Sequence, residues 1–104
     1  MLNKNEGNLL IDYYGSLLTK HQLDILNDYF GNDFSMVEIA ENLNISKAAV
    51  SDIIKRSVNQ LLTYEKNLKC IEKDDKLDKI ILELQDGDKK SQDLANKIRK
   101  IIER

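Results

Sequence analysis

The stretch Ser35-Met36-Val37-Glu38-Ile39-Ala40-Glu41-Asn42-Leu43-Asn44-Ile45-Ser46-Lys47-Ala48-Ala49-Val50-Ser51-Asp52-Ile53-Ile54-Lys55-Arg56 decides the fold of this chain. Its small and apolar residues fall where a helix-turn-helix requires them. Ala40 is small at the point where two crossed helices touch, and Ile39, Leu43, Ile45, Val50 and Ile53 are predicted to point into the one core that holds the pair. Asn44 takes the turn position, which asks for positive φ; Gly usually meets that demand and Asn tolerates it. The helix starts are specified locally. Ser35 with Glu38 three residues on is a capping box, and Ser46 stands directly before the second helix as its N-cap. The spacing predicts a helix-turn-helix over 35–56.

Upstream of the motif, Leu9, Leu10, Tyr13, Tyr14, Leu17 and Leu18 recur at helical spacing and predict a first helix that stops near Thr19, with Gly15 weakening it. Thr19 and Gln22 form a second capping box, which opens a helix carrying Leu23, Ile25, Leu26, Tyr29 and Phe30 and closed by Gly31-Asn32-Asp33. Downstream, Val58, Leu61, Leu62, Leu68 and Ile71 continue an apolar stripe with no Gly or Pro to end it, so the second motif helix is expected to be long. From Asp74 the pattern becomes Leu77, Ile80, Ile81 and Leu84, then Asp86-Gly87-Asp88, then Leu94, Ile98, Ile101 and Ile102. That reads as two short amphipathic helices about a turn. A lone apolar stripe of this width is rarely stable in water, so a tail over 73–104 is expected to pack on the 1–72 helix-turn-helix domain or on a second copy, making a homodimer through the C-terminal helices.

Composition agrees with an all-α protein: 104 residues, no Pro, four Gly, and no alternating pattern that predicts a strand. The single cysteine, Cys70, excludes an internal disulfide, and no apolar run is long enough for a signal peptide or a membrane span. The expectation is a cytoplasmic protein with no membrane partner. Net charge is −2, which disfavours long-range attraction to nucleic acid, because non-specific affinity comes from Lys and Arg displacing counterions. Between Thr19 and Thr63 only Lys20, Lys47, Lys55 and Arg56 are basic, against Asp24, Asp28, Asp33, Glu38, Glu41 and Asp52. Affinity for duplex DNA must therefore come from local clustering. From Tyr64 onward both signs are interleaved, as on a solvated face.

In a helix-turn-helix the exposed N-terminal face of the second helix meets the major groove. Here that face gives Ser46, Lys47, Ala48, Ser51, Asp52 and Lys55 as candidate DNA-binding residues, with Arg56 in the basic cluster and Lys20, beside His21, as a further phosphate contact. Lys47 and Lys55 suit phosphate or guanine, Ser51 a base edge and Ala48 a thymine methyl, while Asp52 repels phosphate unless it accepts from cytosine. The bland alternative is the solvated side of an ordinary helix. His21 reads as a surface residue, Cys70 as a small apolar one, and Tyr13, Tyr14, Tyr29 and Tyr64 as core, since they share stripes with Leu and Phe. No nucleophile with a base, no metal-ligand cluster and no glycine-rich phosphate loop is present, so no enzyme, cofactor or metal site is expected.

Leu9 through Gln22, then Tyr29-Phe30, Ser35, Glu38-Ile39-Ala40-Glu41, Ile45-Ser46 and Tyr64-Glu65 resemble the YlxM (p13-like) helix-turn-helix proteins of Gram-positive bacteria and mycoplasmas over the first two-thirds of the chain. Thr19 to Leu62 is also similar to region four of bacterial sigma factors, a promoter-reading module. The resemblance implies a sigma region four-like helix-turn-helix bundle with a C-terminal helical extension. It also implies a DNA-binding regulatory role around the signal recognition particle pathway, with a particle component as partner. Two departures stand out. The family pattern carries Arg-Gln where this chain has Lys47-Ala48, and an aromatic where it has Ser51, which removes a bidentate adenine reader and a large contact. They favour the alternative of a protein-interaction module, or one that binds the particle's RNA or protein, without sequence-specific DNA reading.

Overall fold

A computed structural model describes residues 2–103. Among them six α-helices and no strand form two compact units, Met1–Leu68 and Lys69–Arg104.

The first unit begins with α1 (Lys4–Tyr14), which starts where Asn3 can cap it: the Asn3 side chain accepts from the Glu6 N–H at 2.8 Å and donates back to the Glu6 carboxylate at 3.0 Å. The helix ends at Tyr14 and tightens into a 3₁₀ turn over Gly15–Leu17, so it is shorter than its apolar pattern suggests. Its inward stripe is Gly7, Leu10 and Tyr14, whereas Leu9 and Leu17, expected on that stripe, are exposed. Thr19 and Gln22 form both halves of the expected capping box, at 3.2 and 3.1 Å, and start α2 (Lys20–Leu26). That helix runs straight into a wider π turn over Asn27–Gly31, which keeps Phe30 in the core before Asp33, at φ 58°, redirects the chain.

Ser35 and Glu38 close the second box, at 3.1 and 3.0 Å, and open α3 (Met36–Leu43). Asn44 adopts the left-handed conformation (φ 55°, ψ 45°), and the N–H of Ile45 returns to the Ala40 carbonyl at 3.0 Å, so the helix ends in a Schellman motif. Ser46 then accepts from the Ala49 N–H at 3.0 Å and starts α4 (Lys47–Leu68). Ile39, Ala40 and Val50 are buried as expected. Leu43 and Ile45 are not: they stay 42% and 37% exposed, and Ile53 is half-buried. The core stripe of α4 is Val50, Ile54, Val58 and Leu61, so Ile54 fills the place expected of Ile53. Leu43 is the last residue of α3 and Ile45 follows the left-handed turn, where backbone hydrogen bonds rather than buried side chains hold the chain.

The long motif helix does not continue to Ile71. It stops at Leu68, with Lys69 left-handed at φ 56°. The second unit is a hairpin of α5 (Cys70–Gln85), which starts earlier than the Asp74 expected, and α6 (Lys89–Ile102). Asp88 caps α6 by accepting from the Ser91 N–H at 2.9 Å, and Ile81 and Ala95 are its fully buried apolar residues.

Candidate nucleic-acid interface

The predicted contact face is built from the start of α4. Ser46, Lys47, Ala48, Asp52, Lys55 and Arg56 are exposed and Ser51 is half-buried, because the opposite stripe of the same helix, from Val50 to Leu61, is held in the core. Lys47, Ser51 and Lys55 succeed one another at steps of four, so they form one line along the helix, about 12 Å from the first Cα to the last.

The cations are not equivalent. Arg56 donates to Asp52 one turn earlier at 2.8 Å, and Lys20 to Asp24 at 2.9 Å. The Asp24 carboxylate holds the Lys20 ammonium above the ordinary lysine range, through its hydrogen bond first and its charge second, although both groups are well exposed. Among the described residues no carboxylate lies within ion-pair distance of Lys47 or Lys55. The first turn of α4 carries no acidic residue, so the Ser46 hydroxyl on the Ala49 N–H, and no carboxylate of that turn, offsets the partial positive charge of its N–H groups.

Lys20 does not join Lys47 and Lys55 in one lining, but its neighbour His21 and Arg56 share an open groove of about 820 Å³ between α2 and α4. Gln22, Asn59 and Gln60 complete its polar wall, and Gln22 donates to Gln60 at 2.5 Å across it. This wall was not anticipated from the sequence. Its signal was present in Arg56, Asn59, Gln60 and Thr63, a polar run at helical spacing on a helix whose other side is apolar. Among the described residues no three His, Cys, Asp or Glu side chains gather to hold a metal, and no helix is long and apolar enough to cross a membrane.

Comparison with known proteins gives this geometry a family. A family described as "Putative helix-turn-helix protein, YlxM / p13 like" matches residues 1–101. A UPF0122 protein of Clostridium perfringens is 41% identical over 103 residues, which span 99% of this chain and 92% of that one. Two further UPF0122 proteins are each 50% identical: that of Malacoplasma penetrans over 70 residues (67% of this chain, 65% of its own) and that of Acetivibrio thermocellus over 68 (65% and 58%). With the capped helices, the left-handed Asn44 and the buried Ala40 all in position, and the match running nearly end to end, the chain belongs to the YlxM/p13-like helix-turn-helix family.

Proposed function

We propose that the protein is a non-enzymatic cytoplasmic regulator that binds duplex DNA through the first turns of α4. Lys47, Ser51 and Lys55 form the contact line, with Ser46, Ala48 and Asp52 beside it. The observation that carries this reading is the pair of lysines on one exposed line with no carboxylate within ion-pair distance among the described residues. Such lysines release counterions when they meet phosphate, whereas Arg56 and Lys20, each already beside a carboxylate, add less. With Ala48 and Ser51 as the only short side chains facing bases, binding rests on the phosphate backbone and sequence preference is weak. Action around the signal recognition particle pathway, with a particle component as partner, is part of the same proposal and rests on the family resemblance.

Duplex binding measured across a salt series tests it. Affinity should fall steeply with salt, and Lys47→Ala and Lys55→Ala should each flatten the log–log slope by about one, with Arg56→Ala and Lys20→Ala changing it less. Undetectable binding at low salt overturns the proposal.

One observation favours a second reading. With Arg56 and Lys20 tied to Asp52 and Asp24, the module is acidic overall, which suits a protein surface, or a protein-and-RNA particle, better than bare duplex. Capture of the same partner by the wild type and by the Lys47→Ala/Lys55→Ala variant would select this reading.

A further inference from the structure

The 69–104 hairpin buries very little. Ile81 of α5 and Ala95 of α6 are fully covered, while Ile80 (47%), Leu94 (44%) and Ile101 (81%) stay exposed. Leu77, Ile80 and Leu84 follow steps of three and four along α5; Leu94, Ile98 and Ile101 follow steps of four and three along α6. Ile80 and Leu94 each stand seven residues from Gly87, so the turn sets them at the same level of the hairpin. Right-handed helices joined by this turn open both stripes on one side. On the other side Gln85 accepts from Arg99 at 3.1 Å once its amide oxygen faces the guanidinium, and Leu82 is a single exposed apolar residue (60%) in a polar setting.

The charges of the two helices are opposite. Over α5, Glu72, Asp74, Asp75, Asp78 and Glu83 outnumber Lys73, Lys76 and Lys79; over α6, Lys89, Lys90, Lys97, Arg99 and Lys100 outnumber Asp93. Among the described residues Lys76 pairs with Glu72 and Lys79 with Asp75, both within α5, and no described carboxylate lies within ion-pair distance of Lys89, Lys90, Lys97, Arg99 or Lys100.

We infer that this face is an interface between two copies of the chain, formed by packing each hairpin on the other as an antiparallel four-helix bundle in which α5 of one copy lies against α6 of the other. A two-fold axis along the hairpin produces that arrangement, because it keeps each residue's level along the helices and exchanges left for right. The aliphatic stripes meet each other, and each acidic helix gains a second basic neighbour across the interface, in addition to α6 of its own hairpin. Glu83 and Lys90, on opposite outer edges of one hairpin and near the same level, come together across the interface. This inference does not depend on the DNA reading, since it concerns the other unit.

Sedimentation of the full-length protein across the micromolar range tests it. The wild type should run at twice its 12.0 kDa mass. Ile101→Asp and Leu94→Asp should raise the dissociation constant by about tenfold or more, with helix content retained because both side chains are already exposed. Lys90→Glu should weaken the dimer and added Glu83→Lys restore it. A wild type that stays monomeric overturns the inference. If that monomer is destabilised by Ile101→Asp, the face is covered by another segment of the same chain; if it is indifferent, the face belongs to a different partner. A dimer unchanged by Ile101→Asp overturns it as well, and failure of the charge swap to restore association overturns the pairing of α5 with α6.

Discussion

The Tyr14 hydroxyl donates to the Glu65 carboxylate at 2.5 Å, across a separation of 51 residues, and so ties the end of α1 to the last turns of α4. The Tyr14 ring is buried, with its centroid 6.0 Å from that of Tyr64, so the polar contact sits at the edge of an aromatic pair. Tyr14→Phe keeps the ring and deletes the hydroxyl. Hydrogen bonds to charged groups contribute about 1.5–3 kcal/mol, and chemical denaturation should report a loss in that range for Tyr14→Phe. A loss no larger than that of a surface substitution would show that the contact contributes nothing.

Gly7 is where α1 lies against the Phe30 ring. A Cβ there would stand 2.4 Å from the Phe30 ring, which is itself buried. Replacing a mid-helix Gly with Ala normally gains about 1 kcal/mol of helix propensity. Overpacking costs about 1–3 kcal/mol, so Gly7→Ala should destabilise on balance. Gly7→Ala combined with Phe30→Leu should lose less than the two single changes added together, which a double-mutant cycle by denaturation would measure.

Asn44 holds the turn of the motif at φ 55°. Asn44→Gly should leave stability level or improve it, because Gly carries no Cβ penalty in the left-handed region. Asn44→Val should cost about 1–2 kcal/mol, since its Cβ crowds the following carbonyl. Thermal melts of the two variants that coincide would show the turn to be less constrained than its geometry indicates.

The backbone N–H of Ser91, and then its hydroxyl, hold the Asp88 carboxyl below its ordinary 3.8. A group lowered in the folded state favours folding above its unfolded pKa, and that contribution disappears as pH falls through the folded value. The start of α6 should therefore be fully capped at neutral pH and fray only in acid below the usual carboxylate range. An NMR titration of the Asp88 carboxyl should find its midpoint under 3.8, with the Ser91 amide moving in step, and Asp88→Ala should loosen the Ser91 amide at neutral pH and differ little from the wild type in acid below that midpoint.

Local structure was largely legible in the residues, because caps and turns depend on neighbours three or four positions away. Ser35 with Glu38, Thr19 with Gln22, Ser46 and Asn44 each perform the predicted role, and they set where α2, α3 and α4 begin and where α3 ends. The candidate contact line was legible for the same reason: helical spacing alone puts Lys47, Ser51 and Lys55 on one side of α4. Which cations are already beside a carboxylate was foreseeable in spacing too, in Asp52 to Arg56 and Lys20 to Asp24, but only geometry establishes that the pairs form.

Periodicity says that a residue belongs to an apolar stripe, but the depth of its burial depends on what lies opposite. Leu9, Leu17, Leu43 and Ile45 fit their stripes and remain exposed, while Gly7 and Ile54 reach the core because Phe30 and the neighbouring helices stand against them. The break at Lys69, where the backbone turns left-handed, has no Gly or Pro to announce it. By itself, then, the sequence determined the all-α class, the starts of α2, α3 and α4, and the helix-turn-helix. Tertiary packing alone decided which apolar side chains form the core and that Tyr14 meets Glu65, since these rest on contacts between segments tens of residues apart.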